Sequence, residues 1–140
     1  MNTNLETAIR MLAQGAYTCV LCKDGQVYTS CRRGVAPLMG FWEQKTDLKG
    51  FSAADKVVGK ATALLYCLLG VSQVYATVLS RPAAEVLASH GIDYRYETLV
   101  DAILNRTGDG FCPMETATKQ IHDPAQAPAA IQAALQALAR

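Results

Sequence analysis

One cysteine of this sequence lies where a thiol is easily activated. Cys112 precedes Pro113, a residue type that favours the first turn of a helix. We therefore predict that Cys112 lies at or next to a helix N-cap. The free N–H groups and the positive end of the helix dipole favour a thiolate there. The alternative is that Cys112 only caps the helix, with no chemical role.

The residues just before Cys112 favour contact between the backbone and a bound group. Gly108 and Gly110 carry no side chain, so a ligand could approach the chain closely at either position. Arg106 would add positive potential, whereas Asp109 argues against a dedicated phosphate site. The alternative is that the two glycines only make a turn.

A second polar group lies earlier in the chain. The apolar spacing predicts one long helix from Ser52 to Leu69, ended by Gly70. A glycine inside a helix costs roughly 1 kcal/mol relative to alanine, so we expect a ligand or another chain segment to approach Gly59 closely. The alternative is a solvated charged face. The polar side of this predicted helix carries Ser52, Asp55, Lys56, Gly59 and Lys60.

The remaining cysteines and the histidines, which are potential metal ligands, are scattered along the chain. Cys19 and Cys22 fall on a predicted strand, where residues three apart point to opposite faces and cannot share one ion. Cys67 fits the core, and nothing converges on Cys31. The two histidines of the chain are isolated from each other. We therefore predict neither a metal site nor a cofactor.

Composition limits the class of protein. The chain has 140 residues, of which 51% are hydrophobic and 18% charged, which predicts one ordered domain spanning 1–140. A net charge of +1 argues against nucleic-acid or basic membrane-surface partners. The N-terminus lacks a signal-peptide pattern, and the apolar run Ala63–Leu69 is too short to span a bilayer. With five scattered cysteines, these features favour a cytoplasmic protein.

The elements that must position these residues alternate between helix and strand, which predicts a single α/β domain. Asp24-Gly25 between two strand-like runs predicts a hairpin. The predicted helices are 3–15, one starting near Pro37, 52–69, 82–91, 97–104, one starting at Pro113, and about 124–139; the predicted strands are 17–22, 26–30, 74–79 and 94–96.

Two blocks of the chain resemble a known family. Phe51–Ala61 and Asn105–Glu115, together with the hairpin, resemble an uncharacterised bacterial family that is placed by fold in the cytidine-deaminase-like superfamily. The resemblance extends from about Tyr17 to Asp123. It implies a three-layer α/β/α sandwich around a mixed sheet.

The zinc ligands of the deaminases are absent from the matching places. A zinc deaminase carries a His or Cys and a Glu at one helix start and Pro-Cys-x-x-Cys at the next. In the first motif's place, Ala53 stands for the ligand and Asp55 for the Glu. In the second, Ala83 and Val86 replace both cysteines. We therefore expect no zinc-dependent deamination.

The resemblance still implies two helix starts at the carboxyl edge of parallel strands, where open α/β sheets bind ligands. Ser52, Asp55, Lys56, Ser80 and Arg81 would lie there. The leading hypothesis is a metal-independent domain that binds a nucleotide-like or anionic small molecule. Whether it catalyses a reaction stays open.

Two other hypotheses remain. The first is cysteine chemistry, with Cys112 as nucleophile or sulfur carrier and Asp55 or Lys56 assisting proton transfer. The second is a non-catalytic module whose C-terminal helix mediates self-association into a homo-oligomer. Ile131, Leu135 and Leu138 share helical spacing there, and their alternative, which we favour, is packing on the same chain.

Overall fold

The computed structural model of the chain describes residues 3–105 and 107–139. Arg106, predicted to bind a ligand, lies outside these described residues. The described helices are α1 (Thr3–Gln14), α2 (Ala36–Glu43), α3 (Lys60–Leu69), α4 (Arg81–Ser89), α5 (Pro113–Thr118) and α6 (Ala127–Leu138), and the strands are β1 (Cys19–Lys23), β2 (Gln26–Ser30), β3 (Ser52–Val58), β4 (Gln73–Ser80) and β5 (Asp93–Val100).

The strands form one mixed sheet in the order β2-β1-β3-β4-β5. Strand β1 runs antiparallel to β2 and β3, whereas β3, β4 and β5 run parallel to one another. The hairpin between β1 and β2 is confirmed. Asp24 and Gly25 have φ values of 49° and 89°, the left-handed conformation that a two-residue hairpin turn requires.

Helices cover both faces of the sheet. On one face, Ala8 and Leu12 of α1 pack with Val20, Cys22 and Ala54 of the strands. On the other face, strand residues including Leu21 and Ala53 join one larger core with α3 and α4, and α5 and α6 pack against α3. The predicted three-layer α/β/α sandwich with a mixed sheet is confirmed. Cys19 and Cys22 belong to different faces, as predicted.

The predicted helix from Ser52 to Leu69 is wrong over its first half. Ser52–Val58 is strand β3, and the helix begins only at Lys60. Strand β3 is central, and Ala53 and Ala54 are both fully buried, one on each face of the sheet. A strand buried on both faces reads as a continuous apolar run, which periodicity alone does not separate from a helix.

The predicted helix 97–104 is also wrong. Residues up to Val100 continue β5, which pairs with β4 along its whole length, from Gln73↔Asp93 to Ser80↔Val100. Tyr94, Tyr96 and Thr98 are residue types that favour strands, and their alternation extends past the short strand expected at 94–96.

The C-terminal segment forms a 3₁₀ turn at Pro124–Gln126 followed by α6. Ile131 of α6 is fully buried within the chain, whereas Leu135 and Leu138 are exposed. Self-association through α6 stays a prediction. In the part of the chain that the structure describes, no helix is long and apolar enough to cross a membrane.

Candidate functional site

The carboxyl ends of the three parallel strands bring two helix starts together. Val58 of β3 pairs with Leu79 of β4, so the residues that follow these strands are neighbours. Gly59 is the N-cap of α3, and Ser80 is the N-cap of α4. The predicted site residues Gly59, Lys60, Ser80 and Arg81 therefore lie at one edge of the sheet.

Ser52 does not belong to this edge. It begins β3 and pairs with Gln73 at the start of β4, roughly 20 Å of extended strand away from Gly59. Its buried hydroxyl donates a hydrogen bond to Gln73 Oε1 at 3.2 Å. The prediction that Ser52 shares a site with Gly59 is wrong, because these residues are separated by a strand rather than by two turns of a helix.

Asp55 lies inside the protein. Its Oδ2 accepts a hydrogen bond of 2.7 Å from the hydroxyl of Tyr66, a fully buried residue of α3. The Tyr66 oxygen is also 3.4 Å from Cys19 Sγ. Burial raises the pKa of Asp55 to about 7, although the Tyr66 hydroxyl and the backbone N–H groups of Val57 and Lys56 oppose this shift. Burial likewise raises the pKa of Cys19 and of Tyr66.

Lys56 lies outside the recess that Cys112 lines. It is exposed on β3, and its backbone N–H donates to the Thr18 carbonyl at 3.1 Å. Cys112 lines a recess of about 70 Å³ whose walls include neither Asp55 nor Lys56. The structure therefore does not bring Asp55 or Lys56 into the recess beside Cys112, and proton transfer by either residue stays a prediction. The recess is lined by Gly34, Val35, Val57, Gly59, Ala61, Thr62, Ile103, Cys112, Met114 and Glu115.

Glu115 occupies the start of α3. Its two carboxylate oxygens accept hydrogen bonds from the Lys60 N–H at 2.9 and 3.0 Å, and the Ala61 N–H is a second donor. Burial raises the pKa of Glu115, opposed by these N–H groups and by the Lys60 charge. We call the space above Gly59, bounded by the N–H groups of Lys60 and Ala61, the Gly59 cradle.

The Gly59 cradle explains why residue 59 is glycine. A Cβ atom there would lie 1.8 Å from Glu115 Oε1 and 3.0 Å from Ile103 Cγ1. Gly59 has an extended backbone with φ of −98°, so the requirement comes from space and not from conformation. The close approach predicted at Gly59 is confirmed, and the approaching group is another segment of the chain.

Three predicted residues at this edge are held by partners within the chain. The Ser80 hydroxyl accepts a hydrogen bond from the Ala83 N–H at 3.2 Å and so caps α4. The Arg81 guanidinium forms an exposed ion pair with Asp101 at 2.8 Å. Lys60 Nζ donates to the Lys119 carbonyl at 2.8 Å. Ligand binding by these residues stays a prediction.

The loop before Cys112 is built around Asn105. The Asn105 side-chain oxygen accepts hydrogen bonds from the N–H groups of Gly108 and Asp109 at 2.8 and 3.2 Å. The Thr107 hydroxyl donates to Asp109 at 2.6 Å, and its hydrogen bond lowers the pKa of that carboxyl. Gly108 has a φ of 77°, so the turn requires it to be glycine. Ligand contacts by Gly108 and Gly110 remain untested predictions.

Cys112 is confirmed as the N-cap of α5. Its thiol makes no capping hydrogen bond, and the residue is half-buried against the main core. Its backbone N–H donates to the Ile103 carbonyl at 3.0 Å, and its carbonyl accepts from the Glu115 N–H at 2.9 Å. These bonds fix Cys112 and Glu115 one helical turn apart beside the Gly59 cradle.

Of the two positions that the sequence comparison matched to zinc-deaminase motifs, one lies at a helix start in the structure and the other does not. The second motif's place is confirmed as a helix start, because α4 begins at Arg81. The first motif's place is wrong, because Ala53 and Asp55 lie on β3 and the helix starts at Lys60. Across residues 3–105 and 107–139, no three His, Cys, Asp or Glu side chains lie close enough together to hold a metal ion.

A larger groove lies at the opposite edge of the sheet. It encloses about 540 Å³ near the starts of β4 and β5 and contains none of the predicted site residues. Its walls are Leu5, Gln73, Ala88, Gly91, Ile92, Asp93, Tyr94 and Arg95.

The fold and the recess define a three-layer α/β domain with two helix starts at one sheet edge. Residues 7–135 match a family described as a domain of unknown function, DUF1893, and the chain belongs to this family. The crystal structure of a DUF1893 family protein from Thermotoga maritima superposes with a TM-score of 0.86 at 22% identity, covering 95% of this chain and 91% of that one. No curated protein matches the chain.

Two deaminases also align with part of the chain. A diaminohydroxyphosphoribosylaminopyrimidine deaminase/5-amino-6-(5-phosphoribosylamino)uracil reductase from Thermotoga maritima gives a TM-score of 0.43 at 16% identity, over 69% of this chain and 36% of that one. The apo dCMP deaminase from cyanophage S-TIM5 gives 0.45 at 13% identity, over 69% and 99%. At TM-scores below 0.5, these alignments carry no argument about the chain.

Sequence reasoning missed two residues of this architecture. Tyr66 was not singled out, because within a helix of apolar residues it is indistinguishable from any core aromatic. Glu115 was given no role, because it lies 55 residues from Lys60, its partner. The one local signal for Glu115 was Gly59, which indicated a close approach without identifying the group.

Proposed function

We propose that the chain is a metal-independent binding domain for a small polar or anionic metabolite, with its site at the recess beside the start of α3. The position of Glu115 carries this proposal. A carboxylate accepts hydrogen bonds from backbone N–H groups in the Gly59 cradle, beside the charge of Lys60. A ligand carboxylate or phosphate oxygen in this position would meet the same donors.

The size of the recess limits what enters it. A volume of about 70 Å³ is comparable to two water molecules at about 30 Å³ each, so one terminal group of a ligand fits and the remainder lies outside. Lys60 and Arg81 lie at the same edge, and their side chains are at least partly exposed to solvent. Their charges would attract an anion towards the recess.

Glu115 and such a ligand compete for the same donors. The carboxylate is tethered to the chain, so it occupies the Gly59 cradle unless the ligand displaces it. The observed affinity is then reduced by the small fraction of molecules whose cradle is free. Removing the Glu115 carboxylate also removes a negative charge that repels an anion. The proposal therefore predicts tighter binding when Glu115 is shortened.

The experiment measures the dissociation constants of inorganic phosphate and a nucleoside monophosphate by calorimetry. The variants are Glu115→Ala, Gly59→Ala and the control Glu85→Ala, an exposed residue of α4. We expect Glu115→Ala to bind at least about tenfold more tightly than the wild type. Gly59→Ala should bind neither probe, because its Cβ fills the cradle, and Glu85→Ala should match the wild type.

One result of this experiment would contradict the proposal. If Glu115→Ala is folded by circular dichroism and binds both probes no better than Glu85→Ala, the proposal is wrong. Glu115→Gln serves as a second variant, because it keeps the shape and removes the charge. It should fall between the wild type and Glu115→Ala.

Cysteine chemistry is a second candidate, favoured because Cys112 and Glu115 line the same recess. In this version Glu115, rather than Asp55 or Lys56, accepts the thiol proton. The sulfur then forms a bond to an electrophilic carbon as the leaving group departs with its electron pair. Burial raises the pKa of Glu115, which makes the carboxylate a better proton acceptor.

Alkylation by iodoacetamide tests this candidate, with iodide as the leaving group. Exposed Cys31 is an internal control in the same molecule. We expect Cys112 to react faster than Cys31 near neutral pH and to lose this advantage in Glu115→Gln. Equal rates for the two cysteines, or no effect of Glu115→Gln, would exclude cysteine chemistry at this recess.

A further inference from the structure

The outer strand β5 presents an unprotected edge. It has eight residues, longer than the usual five or six, and pairs only with β4 among the strands that the structure describes. None of the backbone hydrogen bonds found in the described residues reaches β5 from its outer side. The row of free N–H and C=O groups along such an edge is a template for another strand.

Strand β5 lacks several of the features that usually prevent edge pairing, although three of its eight residues are charged. Its sequence, Asp93-Tyr-Arg-Tyr-Glu-Thr-Leu-Val100, contains no lysine, proline or glycine. Residues 93–98 are all exposed, on both faces of the strand. Tyr94 and Tyr96 are 37% and 45% exposed and stack on each other with ring centroids 6.4 Å apart.

The charges along β5 identify the partner. Asp93, Arg95 and Glu97 alternate along the strand. In an antiparallel pair of identical strands related by a two-fold axis through Tyr96, Arg95 faces the second copy's Glu97, and the reverse pair also forms. Opposite charges directly across an antiparallel pair stabilise it. Within the described residues Arg95 makes no ion pair. Glu97 accepts a hydrogen bond from the Tyr75 hydroxyl of β4, which leaves the charge of its carboxylate in place.

The charges also distinguish between the possible registers of the two strands. An axis through Arg95 would place two arginines opposite each other and Asp93 opposite the second copy's Glu97, and both contacts are repulsive. An axis through Tyr96 instead pairs Tyr96 with itself and Tyr94 with the second copy's Thr98. The stacked tyrosines of both copies then form one aromatic cluster across the axis.

We propose that β5 is a homodimer interface, at which a second copy of this chain pairs antiparallel to β5 about a two-fold axis through Tyr96. The two five-stranded sheets then form one continuous ten-stranded sheet. This surface lies on the outer strand of the sheet, away from the Gly59 cradle at the end of β3, so the proposal goes beyond the binding function proposed above.

Charge reversal tests both the interface and its register. Glu97→Arg and Arg95→Glu each replace two attractive contacts with two repulsive ones. The double variant that carries both substitutions restores the attraction, and so does an equimolar mixture of the two single variants. The control is Glu85→Arg, a charge reversal of the same size at an exposed position of α4. Dissociation constants are measured by analytical ultracentrifugation.

We expect the wild type to form a dimer of twice 15.0 kDa. Each single reversal should raise the dissociation constant at least about tenfold. The double variant, the mixture and Glu85→Arg should remain within a factor of about three of the wild type. A rescue in the mixture requires that Arg95 and Glu97 face each other across two copies.

Three outcomes would overturn the proposal. The first is a wild type that stays monomeric up to about 1 mM, which would leave the edge for an extended peptide of another protein. The second is a dimer that Glu97→Arg does not weaken, which would place the interface elsewhere. The third is a double variant as weak as the single ones, which would exclude this register.

Discussion

The buried carboxyl groups of Asp55 and Glu115 have different surroundings and different roles. Asp55 lies in the middle of β3 and accepts hydrogen bonds from the Tyr66 hydroxyl at 2.7 Å and from the Val57 N–H at 3.4 Å. Glu115 lies at the start of α3 and is bonded by backbone N–H groups. Burial raises the pKa of both. Asp55 is enclosed with Tyr66 and serves the fold, whereas Glu115 lines the recess and occupies the position proposed above for an outside anion.

The largest effect expected from this comparison is the dependence of stability on pH. Asp55 has a pKa of about 7 in the folded protein, against 3.8 for an unperturbed group. Between these values the folded chain keeps a proton that the unfolded chain has lost. The free energy of unfolding therefore falls as pH rises, by up to about 1.4 kcal/mol per pH unit and about 4 kcal/mol in all.

Urea unfolding across this pH window measures the effect. Asp55→Asn keeps a hydrogen-bonding side chain and cannot ionise, so its slope should be much flatter than that of the wild type. The small slope that remains should come from Glu115, whose pKa is also raised. Parallel slopes in the two proteins would show that Asp55 does not titrate in this window.

The second effect comes from filling the Gly59 cradle. The Cβ of Gly59→Ala would lie 1.8 Å from Glu115 Oε1, so the carboxylate must leave its N–H donors. We expect a loss of about 2–3 kcal/mol in the free energy of unfolding, because hydrogen bonds to a partly buried charge are broken. Thermal and urea unfolding measure it.

A double-mutant cycle separates this mechanism from a general packing defect. In a Glu115→Ala background, the two nearest contacts of the added methyl group are gone and the next is Ile103 Cγ1 at 3.0 Å, so Gly59→Ala should cost much less there. An equal cost in both backgrounds would mean that Glu115 is not the group that requires glycine at position 59.

These two carboxyls also show what the sequence could predict. The hairpin at Asp24-Gly25 and the α5 start at Pro113 follow from residues adjacent in the chain, and both were predicted correctly. Strand β3 was mistaken for a helix, since burial on both faces hides its alternation. Because of this error, Asp55 was predicted on the polar face of a helix and its burial inside the sheet was missed.

Glu115 illustrates a different limit. Its partner is a backbone N–H, and every non-proline residue has one, so no residue type marks the contact. The only sign of this contact in the sequence is the glycine at position 59. A resemblance that reached both blocks, Phe51–Ala61 and Asn105–Glu115, could not show that the ends of those blocks touch.

The third prediction concerns the partner of Asp55. Tyr66→Phe removes the hydroxyl that donates to Asp55, and that hydrogen bond lowers the Asp55 pKa. We expect the pKa to rise above about 7 and stability to fall by about 1 kcal/mol at acidic pH. The cost should be larger at alkaline pH, where the bond is to a carboxylate. A cost that is the same at both pH values would contradict this role.

The smallest effect concerns the charge beside Glu115. In the wild type the Lys60 charge lowers the Glu115 pKa. Lys60→Met keeps most of the side chain but removes this charge, together with the hydrogen bond to the Lys119 carbonyl. We expect the Glu115 pKa to rise and stability to fall by no more than about 1 kcal/mol, since the lysine is partly exposed. An NMR titration of the Glu115 carboxyl carbon measures the shift. Lys56→Met, at an exposed position of β3, is the control. If both variants move the Glu115 titration equally, the shift reflects net charge and not contact at the cradle.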